Sequence, residues 1–386
     1  MLTAATLLAT FLSLITATFA ATTVAVSTSP DATSGLLEGA DAQLRCFVNL
    51  DLTDYDLKVK WVKEVDGVET VITSNGDLLV SNSRYSVHRT VGEGLQGILD
   101  RGYYLNISGV KAVDAGSYFC KAGPRVIQTV LRVLAPISNL TMASYSNGET
   151  VTVDAGTTLD LSCTAMGSTT RPDLEVYVGE TAVTKQFSIY QAAVAFQDEG
   201  LTGSTYTATI SNPTYPINRR DNGKRLACKA TVERFPVQTY YIELDVKFPP
   251  KVNCESDKQA IRGDSGMKVV CRMTANPNPT EIYWSLPTDG ETVGAQEMKN
   301  GLVATKNLNG DITEFVLNID KIDKSHFGEY TIYVKNEKGD DMGRISILEG
   351  NTPNGQTSSG YQFLPHSHLQ LVLLLVTVML RLSHQG

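Results

Sequence analysis

The sequence predicts an all-β protein built from three β-sandwiches in tandem. Six cysteines, all between residues 46 and 271, fall two to each of three stretches of about 100 residues, the size of one sandwich domain. Short runs alternate apolar and polar residues, as in Leu57-Lys58-Val59-Lys60-Trp61-Val62-Lys63, with turn residues between them. Outside these stretches lie an apolar leader and a C-terminal segment whose polar first half leads into an apolar run.

The leader, residues 1–20, has small and apolar residues, no acid or base, and ends in Thr18-Phe19-Ala20. This is the pattern of a secretory signal peptide cleaved after Ala20, although no Lys or Arg precedes the apolar run. Export places the cysteines in an oxidising compartment, where an even number favours disulfides over metal or redox use.

The first stretch, 22–135, carries Cys46, Trp61 15 positions on, and Cys120 74 positions on, with Tyr118 two residues before Cys120. This set resembles the immunoglobulin fold. There the two cysteines bridge facing sheets, the indole packs on the bridge, and the tyrosine hydroxyl bonds back to the backbone at the preceding turn. The resemblance covers nearly all of residues 22–349 and implies three tandem immunoglobulin-like β-sandwiches. The long Cys46–Cys120 interval makes the first domain similar to a variable-type (V-type) domain, and the resemblance pairs Arg84 with Asp114. With Trp61 inward, alternation turns Leu57 and Val59 in and Lys58, Lys60 and Val62 out. Tyr118 and Cys120 then point in, and Phe119 and Lys121 out.

The second stretch, 136–247, holds Cys163 and Cys228, 65 apart. Val176 or Tyr177 stands where a tryptophan is expected, and Leu226 takes the tyrosine position. The Asp221-Asn222-Gly223-Lys224 turn before Cys228 resembles the constant-like domain of nectin-like and nephrin-like adhesion molecules.

The third stretch, 248–349, opens on the stiff link Phe248-Pro249-Pro250. Trp284 lies 13 residues after Cys271, and Phe327-Gly328-Glu329-Tyr330-Thr331-Ile332 followed by Asn336-Glu337-Lys338-Gly339 resembles an intermediate-set (I-type) domain. Ile332 occupies the position of the second cysteine. The leftover thiol, Cys254, and Cys271 flank Arg262-Gly263-Asp264-Ser265-Gly266. A hairpin centred there brings the two cysteines together on adjacent strands; two free thiols or an intermolecular bridge are the alternatives. Arg262-Gly263-Asp264 also matches the integrin-recognition tripeptide, and is read as turn chemistry rather than an integrin contact.

Residues 350–386 combine small residues at Ser358-Ser359-Gly360, a spacer from Tyr361 to His368, and an apolar run from Leu369 to Leu382 near the terminus. These parts make up a glycosylphosphatidylinositol (GPI) attachment signal, with Ser358 or Ser359 as the attachment residue and Asn354 next. The competing reading is a short single-pass helix, but a 14-residue run rises only about 21 Å against a hydrocarbon core of ~30 Å.

Lys and Arg number 33 against 41 Asp and Glu, for a net charge of −8 with no basic segment, which argues against a nucleic-acid partner. Of five histidines, His366, His368 and His384 fall in the tail. With no Cys-x-x-Cys and no phosphate loop, no cofactor, metal site or catalysis is expected. Asn106-Ile107-Ser108 and Asn139-Leu140-Thr141 are N-glycosylation sequons. Asn106 is expected on a strand, facing away from the core, and Asn139 in the linker between the first two domains. A glycan on Asn106 masks one sheet and leaves the opposite one free.

Nectin-like, nephrin-like and fasciclin-like molecules, which this chain resembles, use that opposite sheet of the outermost domain for adhesive contact. The resemblance therefore implies a GPI-anchored adhesion molecule on the extracellular face of the plasma membrane. Its first domain meets itself or a related immunoglobulin-superfamily protein on an opposing cell. Phe119, Lys121, Lys60 and Val62 are the expected contact face. A GPI-anchored receptor or co-receptor for a soluble ligand or microbial surface is the alternative.

Overall fold

A computed structural model describes residues 23–350 except 30–33, 51–55, 94–98, 289 and 310–311. The leader 1–20, the attachment residues Asn354, Ser358 and Ser359, and the apolar tail lie outside the described residues. The described chain is nearly all strand and divides into two compact units between Phe248 and Pro249. The first unit contains two sandwiches, each around its own core, and the second contains one.

The first sandwich has strands β1 (Thr23–Ser29), β2 (Leu36–Leu37), β3 (Ala42–Leu50), β4 (Val59–Val65), β5 (Val68–Ser74), β6 (Asp77–Leu78), β7 (Tyr85–Glu93), β8 (Leu99–Ile107), β9 (Gly116–Ala122), β10 (Arg125–Leu131) and β11 (Val133–Leu134). One sheet runs β1-β3-β8-β7 and the facing sheet β10-β9-β4-β5-β6, while β11 pairs with β2 in parallel. Cys46 on β3 is joined to Cys120 on β9 across the two sheets, with Cα atoms 6.3 Å apart. Trp61 lies opposite Cys120 in register, and its indole N–H donates to the Tyr103 carbonyl at 3.3 Å. The buried Tyr118 hydroxyl donates to the Asp114 carbonyl at 2.9 Å, closing the turn before β9.

The second sandwich has β12 (Asn139–Met142), β13 (Thr150–Asp154), β14 (Thr158–Ser168), β15 (Asp173–Val178), β16 (Thr181–Ala182), β17 (Ser188–Asp198), β18 (Leu201–Pro216), β19 (Arg225–Thr231) and most of β20 (Gln238–Cys254). Its sheets are β12-β14-β18-β17 and β16-β15-β19-β20, with β13 parallel on β20. Cys163 and Cys228 are joined, Cα atoms 6.5 Å apart. Of the two residues that stood for the missing tryptophan, Val176 is the inward one: it pairs with Cys228 and is buried. Asn139 opens strand β12, opposite Met166, instead of lying in a linker.

The third sandwich has the end of β20, then β21 (Lys258–Ala260), β22 (Ser265–Asn276), β23 (Glu281–Ser285), β24 (Thr292–Gly294), β25 (Met298–Lys299), β26 (Leu302–Asn309), β27 (Ile312–Lys321), β28 (Gly328–Asn336) and β29 (Gly339–Glu349). Cys254, the last residue of β20, is joined to Cys271 on β22, with Cα atoms 3.9 Å apart. This bridge links neighbouring strands of one sheet. Ile332 is buried where an inter-sheet cysteine would stand, and it pairs with Trp284 on one side and Gly343 on the other. The displaced bridge explains the glycine: a Cβ at position 343 would strike the Cys254 sulfur and come within 2.6 Å of Val252.

Around Gly263 the chain turns with φ of +97°, open to glycine at no steric cost. Arg262 pairs with Glu349 at 3.0 Å, and the Asp264 carboxylate accepts from the Ile261 amide at 2.8 Å. Both charges of the tripeptide are thus engaged within their own domain.

Candidate binding face and the junction beside it

The outer face of the sheet β10-β9-β4-β5-β6 follows from the register. Val62 on β4 lies between Val71 on β5 and Phe119 on β9. Phe119 in turn faces Gln128 on β10, with Val126 opposite Lys121 and Val130 opposite Ser117. The result is an apolar band crossing four strands. Val126 and Val130 are about half exposed, at 51% and 46%, and Val71 is exposed at 39%. Lys121 crosses the band, its ammonium 2.7 and 2.9 Å from the two Glu69 oxygens and 5.9 Å from the Phe119 ring centre. Lys60 is exposed beside it.

Val62 departs from the expectation that it offers an open apolar contact. It keeps the outward phase, outside the core cluster, but is only 2% exposed. Its position on the middle strand, flanked in register by Phe119 and Val71, covers it. Alternation reports which way a side chain points and says nothing of what its neighbours cover. Val71, Val126 and Val130 therefore join Phe119 as the apolar surface of the face, although sequence reasoning had singled out none of them. The spacing of Val126 and Val130, which puts both on one face of a strand, was the signal.

At the end of the sandwich by the turn before β9, the second sandwich enters the first. The hairpin β17–β18 is long, and its tip, Asp198-Glu199-Gly200-Leu201, reaches the first domain. Leu201 is fully buried within the first core cluster, and Phe196 packs against that cluster. The approach is close: a Cβ on Gly203 would stand 2.7 Å from the Val113 Cα. Lys63 holds the seam from the other side. Its inward ammonium donates to the Val113 carbonyl at 2.6 Å and to the Thr202 carbonyl of the hairpin. Burial pushes the Lys63 ammonium down to about 8, opposed in part by the nearby Asp114 carboxylate.

Around Lys63 lies a charge cluster. Arg84 forks onto Asp114, with Nη2 to Oδ1 at 3.1 Å. The buried Asp114 also accepts from the Tyr85 hydroxyl at 2.7 Å and the Lys111 amide at 2.8 Å. Glu199 at the hairpin tip accepts from Lys111 at 3.1 Å and Arg84 at 3.2 Å, and these bonds hold its carboxyl below the usual range. Further along, Arg132 pairs with Glu233, and Arg234 donates to the Gly35 carbonyl at 3.2 Å. Apolar, hydrogen-bonded and ionic contacts together make residues 23–248 one compact unit.

The two sequons lie on the other pair of sheets. Asn106 is on β8, with Gln43 donating to its side-chain oxygen at 2.7 Å, and Asn139 is exposed at the start of β12.

No family model matches the chain. It is 21% identical over 355 residues to cell adhesion molecule 4 of Xenopus laevis, spanning 89% of this chain and 79% of that protein. It is 22% identical over 337 residues to lachesin of Drosophila melanogaster, spanning 81% and 80%. Among solved structures, a complex of Dpr2 Ig1-Ig2 with DIP-Theta Ig1-Ig3 is similar in fold, with a TM-score of 0.53 at 20% identity over 82% of this chain and 96% of that one. The fold is a tandem of immunoglobulin-like sandwiches, and the relatives in sequence are cell-surface adhesion proteins of the immunoglobulin superfamily.

Proposed function

We propose that this chain is a cell-surface adhesion molecule whose first sandwich binds a second copy or a related immunoglobulin-superfamily protein through the outer face of β10-β9-β4-β5-β6. The observation that carries the reading is the band of Phe119, Val71, Val126 and Val130 around the Lys121–Glu69 pair. Apolar area crossed by a few fixed polar groups is the composition of an interface core. The similarity to adhesion molecules over most of the chain supports the same reading. Binding strength comes from surface fit and from many anchored copies acting together, with no chemical step.

The chain is held at the membrane by a GPI anchor at Ser358 or Ser359, with Asn354 the next choice. Beads coated with residues 22–349 and mixed with beads carrying related proteins test the adhesion reading. Clumping, of like or unlike beads, is the expected result; beads that stay dispersed in every combination overturn it. Release of the cell-surface protein by phosphatidylinositol-specific phospholipase tests the anchor, and retention after treatment contradicts it.

A further inference from the structure

The outer face of the other sheet of the first sandwich, β1-β3-β8-β7, carries an aromatic pair among the polar residues Gln43, Arg45, His88 and Thr90. Phe47 on β3, which shares that phase with Gly102 and Tyr104 of β8, is 44% exposed. Tyr104 on β8 joins it: its ring meets Phe47 edge-on at 5.8 Å between centres and His88 at 5.6 Å. Tyr104 leans along the sheet over Gly102, where a Cβ would lie 2.6 Å from the ring, so the missing side chain is what lets the ring lie there. Exposed aromatic clusters on a stable sheet call for a cover.

Asn106 stands two residues from Tyr104 on the same strand, hence on the same face, about 7 Å along it. Its oxygen is taken by Gln43 at 2.7 Å, while its nitrogen reaches only the Ser86 hydroxyl at 3.5 Å. The amide is thus held by its oxygen, with the nitrogen, the atom a glycan attaches to, free of any strong bond. Ser108 completes the sequon.

We infer that Asn106 carries an N-linked glycan whose first sugars lie on the Tyr104–Phe47 strip, and that this glycan withdraws the β1-β3-β8-β7 face from contact. The donor is a lipid-pyrophosphate-linked oligosaccharide. The Asn106 side-chain nitrogen attacks its anomeric carbon, a C–N bond forms, the C–O bond to pyrophosphate breaks, the lipid pyrophosphate departs, and the amide proton passes to the transferase. Transfer precedes folding, so a site within a strand is no obstacle. The flat apolar faces of sugar rings stack on aromatic rings as other apolar groups do. The glycan adds bulk and hydration over the aromatic pair.

The test uses the secreted 22–349 protein from a glycosylating host. Enzymatic release of N-glycans should convert Asn106 to Asp in peptide mass spectra. Removing the sequon by Asn106→Gln, or by Ser108→Ala where the first variant fails to fold, should raise binding of an apolar-surface dye severalfold. Adding Phe47→Ser should cancel that rise. An unmodified Asn106, or dye binding unaffected by loss of the sequon, overturns the inference. Neither readout depends on adhesion, so this inference can fail without the functional reading failing.

Discussion

The first and third sandwiches start from one template and secure it differently. Both bury a tryptophan beside the chain position of an inter-sheet cysteine, and both close the turn before that strand with a tyrosine, Tyr118 to Asp114 and Tyr330 to His326, each at 2.9 Å. In the first sandwich a disulfide ties the two sheets, and a second domain adds Leu201 to the core. In the third, Ile332 replaces the cysteine, the bridge moves into one sheet, and Gly343 clears the space it needs. The tryptophan and the tyrosine turn are thus compatible with either way of tying the sandwich. What differs is how much of each domain's stability depends on residues far away in sequence.

Breaking the bridges gives the largest contrast. In the chain-entropy account the Cys46–Cys120 link closes a 74-residue separation and contributes about 4.5 kcal/mol, against about 3 kcal/mol for the 17-residue separation of Cys254–Cys271. Paired Cys→Ala variants, followed by denaturant unfolding read out separately in each sandwich, should show the first sandwich more damaged than the third. Equal losses would remove the distinction.

Leu201→Asp comes next. It puts a carboxylate at a position with no exposure, at a cost of about 3 kcal/mol. Because Leu201 belongs to the second domain by sequence and to the first by packing, hydrogen exchange should rise in β4 and β9 of the first sandwich. Exchange that rises only in β17 and β18 would contradict the shared core.

Lys63→Met leaves two seam carbonyls without their donor and should cost about 1–3 kcal/mol. Its pH dependence has a definite sign. The folded-state value is lowered to about 8, below the unfolded value, so between pH 8 and the ordinary lysine range the unfolded chain binds more protons. Stability of the first unit should gain from this group as pH rises through that window, and the gain should vanish in Lys63→Met. An unchanged slope in the variant would mean another group titrates there.

The smallest effect belongs to the surface pair. Glu69→Gln should change folding stability by less than about 1 kcal/mol, since the pair is solvent-exposed. Its use on the proposed face should show instead as a salt-sensitive change in bead clumping.

The fold was legible in the sequence because its signals are local: alternation turned Trp61, Tyr118 and Cys120 inward, and turn residues set strand lengths. The Arg84–Asp114 pair was reached through family resemblance alone. The hairpin strut was not legible. Leu201 reads as one apolar residue beginning a strand, and nothing local shows that its burial is supplied by another domain. Val62 failed for the related reason that cover by neighbours depends on the register of three strands. Lys63 at an inward phase was the visible hint: a lysine there requires carbonyl partners, and one of them came from the hairpin.

On the proposed function, adhesion runs through one face of the first sandwich. Phe119→Asp and Phe47→Asp place the same charge on its two outer faces. With both proteins folded by circular dichroism and presented on beads at equal density, Phe119→Asp should abolish clumping while Phe47→Asp leaves it intact. Undiminished clumping by the Phe119 variant would contradict the account.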